Sequence, residues 1–244
     1  MSLTVTAISD TGKVRKGNED AWGAYPELSL FIVADGMGGH KAGDIASKLA
    51  VDTIYRFLKD KNSLHHSQFE QISHYLNESI QRANSVIFSE GKKNAGQAGM
   101  GTTVVATWVH APHVSIAYVG DSRAYLLRKN NLRQMTSDHT LVNDYLNKGL
   151  LQPDEVESHP LRHVLSRAVG PQDQVEADLL NFSLQPGDIL LLCTDGLSNM
   201  VSKEKIEEIL NGPEDLEAKN RRLISQAIES GGADNVTALL IRFD

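Results

Sequence analysis

The sequence predicts an α+β domain with a layered architecture and mostly antiparallel sheet. Strand signals occur in hairpin-like pairs, and two long helical patterns follow one another directly. Regular alternation of strand and helix is missing, which argues against a doubly wound parallel sheet. The length of 244 residues suits one large domain, and we expect a single domain over residues 1–244.

The first half of the chain combines short strands with a pair of helices. Residues 3–8 alternate in polarity, residues 21–25 are a further strand candidate, and the apolar run 28–34 stops at an Asp-Gly pair. Apolar residues then recur at helical spacing in two successive segments. They are Ile45, Leu49, Val51, Ile54, Phe57 and Leu58, followed by Phe69, Ile72, Leu76, Ile80, Ala83 and Ile87. The glycine-rich residues 91–101 predict a loop.

Hairpins dominate the second half. Runs rich in β-branched and apolar residues, separated by turn signals, predict strands. The predicted strands lie at 102–109, 113–119, 124–127, 132–135, 175–183, 188–193 and 236–243. Residues 138–173 interrupt this rhythm and predict a mostly helical subdomain on the sheet layer. Two helices, at about 203–211 and 214–230, precede the last strand.

Composition excludes several classes of protein. The formal net charge of −7 argues against nucleic acid as a partner, because phosphate binding needs clustered Lys and Arg. A single cysteine excludes a disulfide framework. No apolar run approaches the roughly 20 residues of a membrane-spanning helix, and the first residues lack the features of a secretion signal. We therefore expect a cytoplasmic protein without a membrane partner.

Acidic residues recur where apolar strands meet loops. Three of the aspartates stand beside glycine, which permits close backbone approach. The residues are Asp20 with its neighbour Glu19, Asp35, Asp121, Asp195 and Asp234. Aspartates gathered at one sheet edge are costly unless cations neutralise them, and hard oxygen ligands favour Mg²⁺ or Mn²⁺ over zinc.

Two interpretations of these aspartates stay open at this point. Asp-Gly is a common turn dipeptide, so each one could be simple turn chemistry. If they converge, two ions about 3.5–4 Å apart would activate a water for in-line attack on a phosphoryl group. Spacing alone does not decide between the two.

Seven segments, in chain order, resemble the metal-dependent protein phosphatases of the 2C type, the PPM family, in its compact bacterial form. Together they cover nearly the whole chain. The segments are SDTGKVRKGNEDAW (9–22), FIVADGMGGHKAGDIAS (31–47), GMGTTVVATWV (99–109), AYVGDSRAYLLR (117–128), LSRAVG (165–170), GDILLLCTDGLS (187–198) and GGADNVTALLI (231–241).

The resemblance implies a central antiparallel β-sandwich with helix pairs on both faces. It also implies a single phosphatase catalytic domain over 1–244, with residues 138–173 as an inserted flap subdomain. The implied activity is hydrolysis of phosphoserine and phosphothreonine on proteins by a metal-bridging hydroxide. The implied partners are phosphorylated proteins, including a bacterial serine/threonine kinase whose action the enzyme reverses, and the expected state is a monomer.

The resemblance also implies a set of metal ligands for two core ions, Mn or Mg. Asp35 would bridge both ions, and the Gly36 carbonyl would bind one of them. Asp195 and Asp234 would bind the other. Asp121, together with Asp195, matches the residues that support a third, weaker ion in bacterial members.

Four further residues have implied roles. Glu19 and Asp20 would hold metal-bound waters from the outer shell. Arg15 matches the phosphate-binding arginine, whose guanidinium can clamp phosphoryl oxygens. Met37 stands where animal relatives carry a histidine proposed as general acid, so His40 is a candidate for protonating the leaving group. A helix-capping role for His40, with a metal-bound water as the acid, is the alternative.

Two other interpretations of the function are weighed against this one. A phosphatase-like binding module should have lost a core ligand or the arginine, and all of them are present. A phosphatase dedicated to one regulator, such as an anti-sigma-factor antagonist, stays open as an alternative. Cys193 lacks the arginine six residues on that a cysteine phosphatase needs, so we expect a core residue. Ser137, His139 and Asn143 are candidates for substrate contact.

Overall fold

The computed structural model describes residues 2–39, 41–61, 69–156 and 158–244. Its strands are β1 (Leu3–Asp10), β2 (Asp20–Tyr25), β3 (Leu30–Met37), β4 (Gly101–Thr102), β5 (Val104–His110), β6 (His113–Val119), β7 (Arg123–Arg128), β8 (Asn131–Gln134), β9 (Asp178–Ser183), β10 (Ile189–Cys193) and β11 (Val236–Phe243). Its helices are α1 (Lys41–Asp60), α2 (Phe69–Lys93), α3 (Leu141–Asn147), α4 (Asp195–Ser198), α5 (Lys203–Asn211) and α6 (Leu216–Glu229).

The strands form two antiparallel sheets. One sheet has the order β1-β11-β10-β7-β8, and the other has the order β2-β3-β5-β6-β9 with the short β4 beside β3. Neighbours in sequence pair as hairpins in β5–β6 and β7–β8. The predicted α+β class with antiparallel sheet is confirmed.

The sheets stack face to face, and helices cover both outer faces. In β3, Phe31 and Val33 point toward the other sheet, while Leu30, Ile32 and Ala34 pack beneath α1 and α2. The same alternation occurs in β10 and β11, whose outer residues pack against α5 and α6. Strands buried on both faces need continuous apolar sequence, which explains runs such as 189–193. The αββα sandwich is therefore confirmed.

The segment 138–173 differs from its predicted structure. Among its described residues only α3 and a single 3-10 turn at Pro153–Glu155 are helical, so the mostly helical prediction is wrong. Pro153, Pro160 and Gly149 interrupt the segment at short intervals, and each favours a turn. A backbone bridge between Thr140 and Leu165 joins the two ends of the segment, and a bridge between Val169 and Thr102 of β4 ties its base to the sheet layer. The flap boundary itself stays a prediction.

Smaller differences concern three short stretches. Helix α2 continues to Lys93, three residues into the predicted loop, and β4 begins at the end of that loop. The single turn α4 follows β10 directly.

Cys193 is fully buried, as expected of a core residue. In the part of the chain that the structure describes, no helix is both long enough and apolar enough to cross a membrane.

Candidate active site

The aspartates at the strand ends meet at one rim of the sandwich. Asp20, at the start of β2, pairs directly with Asp35 near the end of β3. Asp195 follows β10 and Asp234 precedes β11, and these two strands are antiparallel neighbours. Asp121 lies in the turn from β6 to β7, and β7 pairs with β10. Antiparallel pairing therefore gathers residues that are far apart in the sequence.

Burial and mutual repulsion raise the pKa values of these carboxyl groups. The pKa of Asp35 is raised well above its usual value, first by burial and then by the charges of the four other aspartates. Burial, followed by neighbouring carboxylates, raises the pKa of Asp121 to about 7. The pKa of Asp20 rises to about 7 although two hydroxyl groups bond it. The rim thus concentrates carboxyl groups that repel one another when they are ionised.

Asp20 bridges the two sheets through threonine hydroxyls. Its Oδ2 accepts hydrogen bonds from Thr194 Oγ1 at 2.9 Å and from Thr237 Oγ1 at 2.6 Å. Thr237 belongs to β11 of the opposite sheet, and Thr194 directly follows β10 of that sheet. The other oxygen, Oδ1, is buried without a hydrogen-bond partner among the described residues. A buried carboxylate oxygen in that state is suited to a cation or to an ordered water.

Asp195 has a similar arrangement. Its Oδ2 accepts from Asn199 Nδ2 at 3.1 Å, while Oδ1 is buried without a partner in the described part of the chain. Burial and then the charge of Asp234 raise its pKa, whereas a hydrogen bond from Asp35 opposes the rise. A cation bound beside Asp195 would relieve its repulsion with Asp234.

The backbone around Asp35 is tightly held. Its N–H donates to Thr103 Oγ1 at 2.9 Å, and its carbonyl accepts from Thr103 N at 2.9 Å and from Thr102 Oγ1 at 2.8 Å. The next residue, Gly36, lies so close to α1 that a Cβ there would stand 2.1 Å from the Gly43 carbonyl oxygen. Only glycine fits this approach. Because Gly36 lies within β3 and pairs with Thr102, this Asp-Gly pair is a packing requirement and not a turn.

Glu19 lies beside the first turns of α1. Its backbone N–H donates to Asn235 Oδ1 at 2.8 Å, and its carbonyl accepts from Ser47 Oγ at 2.6 Å. A Cβ on Gly43 would stand 2.0 Å from Glu19 Oε2, so the carboxylate lies directly over that helix. Asn235 also donates to two carbonyls of the loop that precedes Glu19. The loop is thereby fixed against the start of β11.

Arg15 contacts the rim through Asp234. Its Nη2 lies 2.7 Å from Asp234 Oδ2, and both side chains are partly exposed. This hydrogen bond is the first cause of the raised pKa of Arg15, and the charges of Glu19 and Asp35 add to it. The guanidinium therefore stands at the solvent side of the carboxylates, where an incoming anion would arrive.

The rim suits a divalent cation because its carboxylates can carry negative charge. Two of their buried oxygens, Asp20 Oδ1 and Asp195 Oδ1, also have no hydrogen-bond partner among the described residues. As the side chains lie, no three His, Cys, Asp or Glu residues within the described ranges are close enough to enclose an ion. Asp234, one of the candidate ligands, pairs with Arg15. The candidate ligand at Gly36 is a backbone carbonyl and not one of these side chains. His40 lies outside the described residues.

Sequence reasoning missed the hydroxyl and amide groups that hold these carboxylates. Thr194 and Asn235 each stand next to a predicted site residue, and that position is the one signal for them. Thr103 and Thr237 lie within predicted strands and carry no signal of their own.

Comparison with known proteins shows the family to which the chain belongs. The family described as "Protein phosphatase 2C" matches residues 13–229. The serine/threonine phosphatase stp of Listeria welshimeri is 41% identical over 236 residues, covering 96% of this chain and 93% of that protein. The crystal structure of the Mycobacterium tuberculosis serine/threonine phosphatase PstP/Ppp superposes with a TM-score of 0.91 at 36% identity, covering 100% of both chains.

A further similar structure contains metal ions. A PstP catalytic domain in complex with two manganese ions has a TM-score of 0.86 and 35% identity, covering 98% of this chain and 97% of that one. The family match and these relatives define the class as a metal-dependent serine/threonine phosphatase. The chain belongs to the protein phosphatase 2C family.

Proposed function

We propose that this protein hydrolyses phosphoserine and phosphothreonine esters on other proteins with Mn or Mg bound at the aspartate rim. The carrying observation is the position of Asp35, whose pKa is raised first by burial and then by the charges of four further aspartates around it. Its charge, the Gly36 carbonyl, and the carboxylates of Asp195 and Asp234 would hold two core ions. A third ion beside Asp121 is part of the same proposal.

The chain's own groups prepare the site for this chemistry. A bound divalent metal supplies a water of lowered pKa as nucleophile and offsets the charge of the phosphoryl group. Thr194 and Thr237 orient Asp20 so that its free oxygen can hold water. Glu19 would likewise hold a metal-bound water. Thr103 fixes the backbone of Asp35, which limits the reorganisation needed during the reaction.

Arg15→Ala is expected to raise KM for a phosphopeptide roughly ten- to hundredfold, because a charge-assisted clamp on the phosphate is lost. Affinity for Mn²⁺, measured by calorimetry, should not fall, since Asp234 is released from its ion pair. Arg15→Lys keeps the charge but loses the planar fork, so its KM should lie between those of the wild type and Arg15→Ala. Unchanged steady-state constants in Arg15→Ala would remove this residue from the site.

Asp121→Ala is expected to lower turnover roughly ten- to hundredfold while the two core ions still bind. Its carboxylate stands beside Asp195, so it supports the rim from the side of β7. Calorimetric titration with Mn²⁺ separates the core ions from a weaker additional one. Loss of the core ions in this variant would contradict a role limited to a third site.

The partner predictions extend the proposal. The enzyme would reverse the action of a serine/threonine kinase, act as a monomer and work in the cytoplasm. Protonation of the leaving group by His40 stays a prediction. A phosphatase dedicated to one regulator is the second candidate, because the rim and Arg15 would serve it equally.

The experiment that tests the substrate class compares peptides that differ only in the phosphorylated residue. With Mn²⁺ present, phosphothreonine and phosphoserine peptides should be hydrolysed, and the phosphotyrosine peptide should be a much poorer substrate. Hydrolysis of a whole phosphoprotein but of none of the peptides would favour the dedicated enzyme. Preference for phosphotyrosine would contradict the proposal.

A further inference from the structure

The turn that carries Asp121 is held on one side by Thr103. Thr103 Oγ1 lies 2.7 Å from Ser122 Oγ, and the same atom accepts the N–H of Asp35. Gly120 packs against this threonine, since a Cβ at Gly120 would stand 2.6 Å from Thr103 Cγ2. The Asp121 turn is therefore fixed relative to Asp35.

His139 holds the opposite side of the turn. Its Nδ1 accepts a hydrogen bond from Gly120 N at 3.1 Å, and its backbone N–H donates to the Gly120 carbonyl at 3.0 Å. Only 2% of the residue is exposed, so it does not fit the substrate contact considered from the sequence. The side chain and backbone of one residue thus bind both polar backbone groups of Gly120.

The ring is held in the state that this contact needs. It stacks on Tyr118 with ring centroids 5.2 Å apart, and Asp178 Oδ2 faces Nε2 at 3.4 Å. Burial first, and then the charge of Arg167, lower the pKa of His139, and Arg167 itself pairs with Asp178 at 2.7 Å. A neutral ring with its proton on Nε2 leaves Nδ1 free to accept.

His139 also belongs to the base of the 138–173 segment. Its carbonyl accepts from Ser166 N at 2.9 Å, and the next residue bridges to Leu165. The two stretches of chain that enter and leave the segment therefore meet at this residue. These two stretches are therefore linked to Gly120 through the imidazole and the backbone N–H of His139.

We propose that His139 is a positioning residue for Asp121, holding its turn through the Gly120 N–H and linking it to the base of the 138–173 segment. The proposal rests on the proposed function, in which Asp121 supports turnover. It assigns a role to a buried histidine that touches neither the phosphate nor the reacting atoms.

The test compares His139→Asn with His139→Leu. These side chains have nearly the same shape, and both lose the stacked ring. In Asn the amide oxygen is bonded to Cγ, as Nδ1 is in His139, so it can accept the Gly120 N–H. Leu has no acceptor there and leaves that buried N–H unsatisfied. The Gly120 amide, followed by hydrogen exchange in metal-free protein, should exchange about tenfold or more faster in the Leu variant than in the Asn variant.

Kinetics with Mn²⁺ and a phosphothreonine peptide provide the second measurement. The Leu variant should lose turnover about tenfold with little change in KM, while the Asn variant stays close to wild type. In an Asp121→Ala background the two variants should have equal turnover, because the positioned group is gone. A purely structural histidine would instead lower turnover equally in both backgrounds.

Equal Gly120 exchange in the two variants, or equal turnover in the wild-type background, would overturn the positioning role. An inactive wild-type protein would remove the proposed function, and the role of His139 in turnover with it. An active wild type with indistinguishable variants rejects the His139 proposal alone. If His139→Leu does not yield folded protein, His139→Gln provides the comparison, because it too lacks an acceptor bonded to Cγ.

Discussion

Asp35→Asn is expected to abolish metal-dependent hydrolysis, with a loss of about a thousandfold or more in turnover. The substitution keeps the shape of the side chain and the backbone bonds to Thr102 and Thr103. It removes the charge at the centre of the rim and can direct an amide N–H toward the cation. Asp195→Asn should act in the same way, because its partnerless oxygen loses its charge.

The measurement is peptide hydrolysis over a range of Mn²⁺ concentrations, with calorimetry for ion binding. Asp52→Asn is a matched control, since Asp52 is a residue of α1 that pairs with Arg56 on the protein surface, away from the rim. That control should behave as wild type. Full activity of Asp35→Asn at any Mn²⁺ concentration would reject the assignment of the site.

The second large effect is a loss of stability in the metal-free protein as the pH rises from about 4 to about 7. Folding raises the pKa of Asp20 and Asp121 from the usual value near 4 to about 7, and it raises those of Asp35 and Asp195 as well. The folded state then binds more protons than the unfolded state across this interval. The contribution to stability is complete below the unfolded pKa and is lost as the pH passes the folded pKa.

Thermal unfolding in a chelator tests this expectation. One pKa unit corresponds to about 1.4 kcal/mol, so shifts of this size should move Tm by several degrees. We expect Asp35→Asn to be more stable than wild type near neutral pH and to show a flatter pH dependence. Mn²⁺ should stabilise the wild type more near neutral pH than near pH about 5, because protons compete for the same carboxylates.

Asp52→Asn again serves as the control, and its pH profile should follow that of the wild type. The difference between the two variants isolates the rim from ordinary surface ion pairs, whose contributions are small. The account of repulsion at the rim would be contradicted if the stability of the wild type and that of Asp35→Asn changed equally between pH about 4 and pH about 7.

Local sequence pattern predicts part of the fold well. The last strand is predicted at 236–243 and is observed over those residues, because an apolar run buried on both faces has few alternatives. The prediction of a mostly helical segment at 138–173 is wrong, because Gly149, Pro153 and Pro160 favour turns that interrupt it. Helical spacing predicts a helix only where an apolar stripe faces a core.

The candidate site is only partly predictable. The strand-end positions of Asp35 and Asp195 can be predicted from the sequence, but their convergence at one rim cannot. The pairing of Arg15 with Asp234 joins residues 219 positions apart, and Thr237 reaches Asp20 across two sheets. Such contacts follow from strand order and sheet stacking, which no local pattern encodes. The contact of His139 with Gly120 likewise depends on how two chain segments meet.

The most direct test of the metal-centred account is hydrolysis of a phosphothreonine peptide by metal-stripped protein, with and without added Mn²⁺. Activity that appears only with the ion, and that is lost again on chelation, is the predicted result. Equal activity in the stripped and the Mn²⁺-supplied protein would contradict the account. Binding of Mn²⁺ without hydrolysis of peptide or phosphoprotein would contradict it as well, and would favour a binding module.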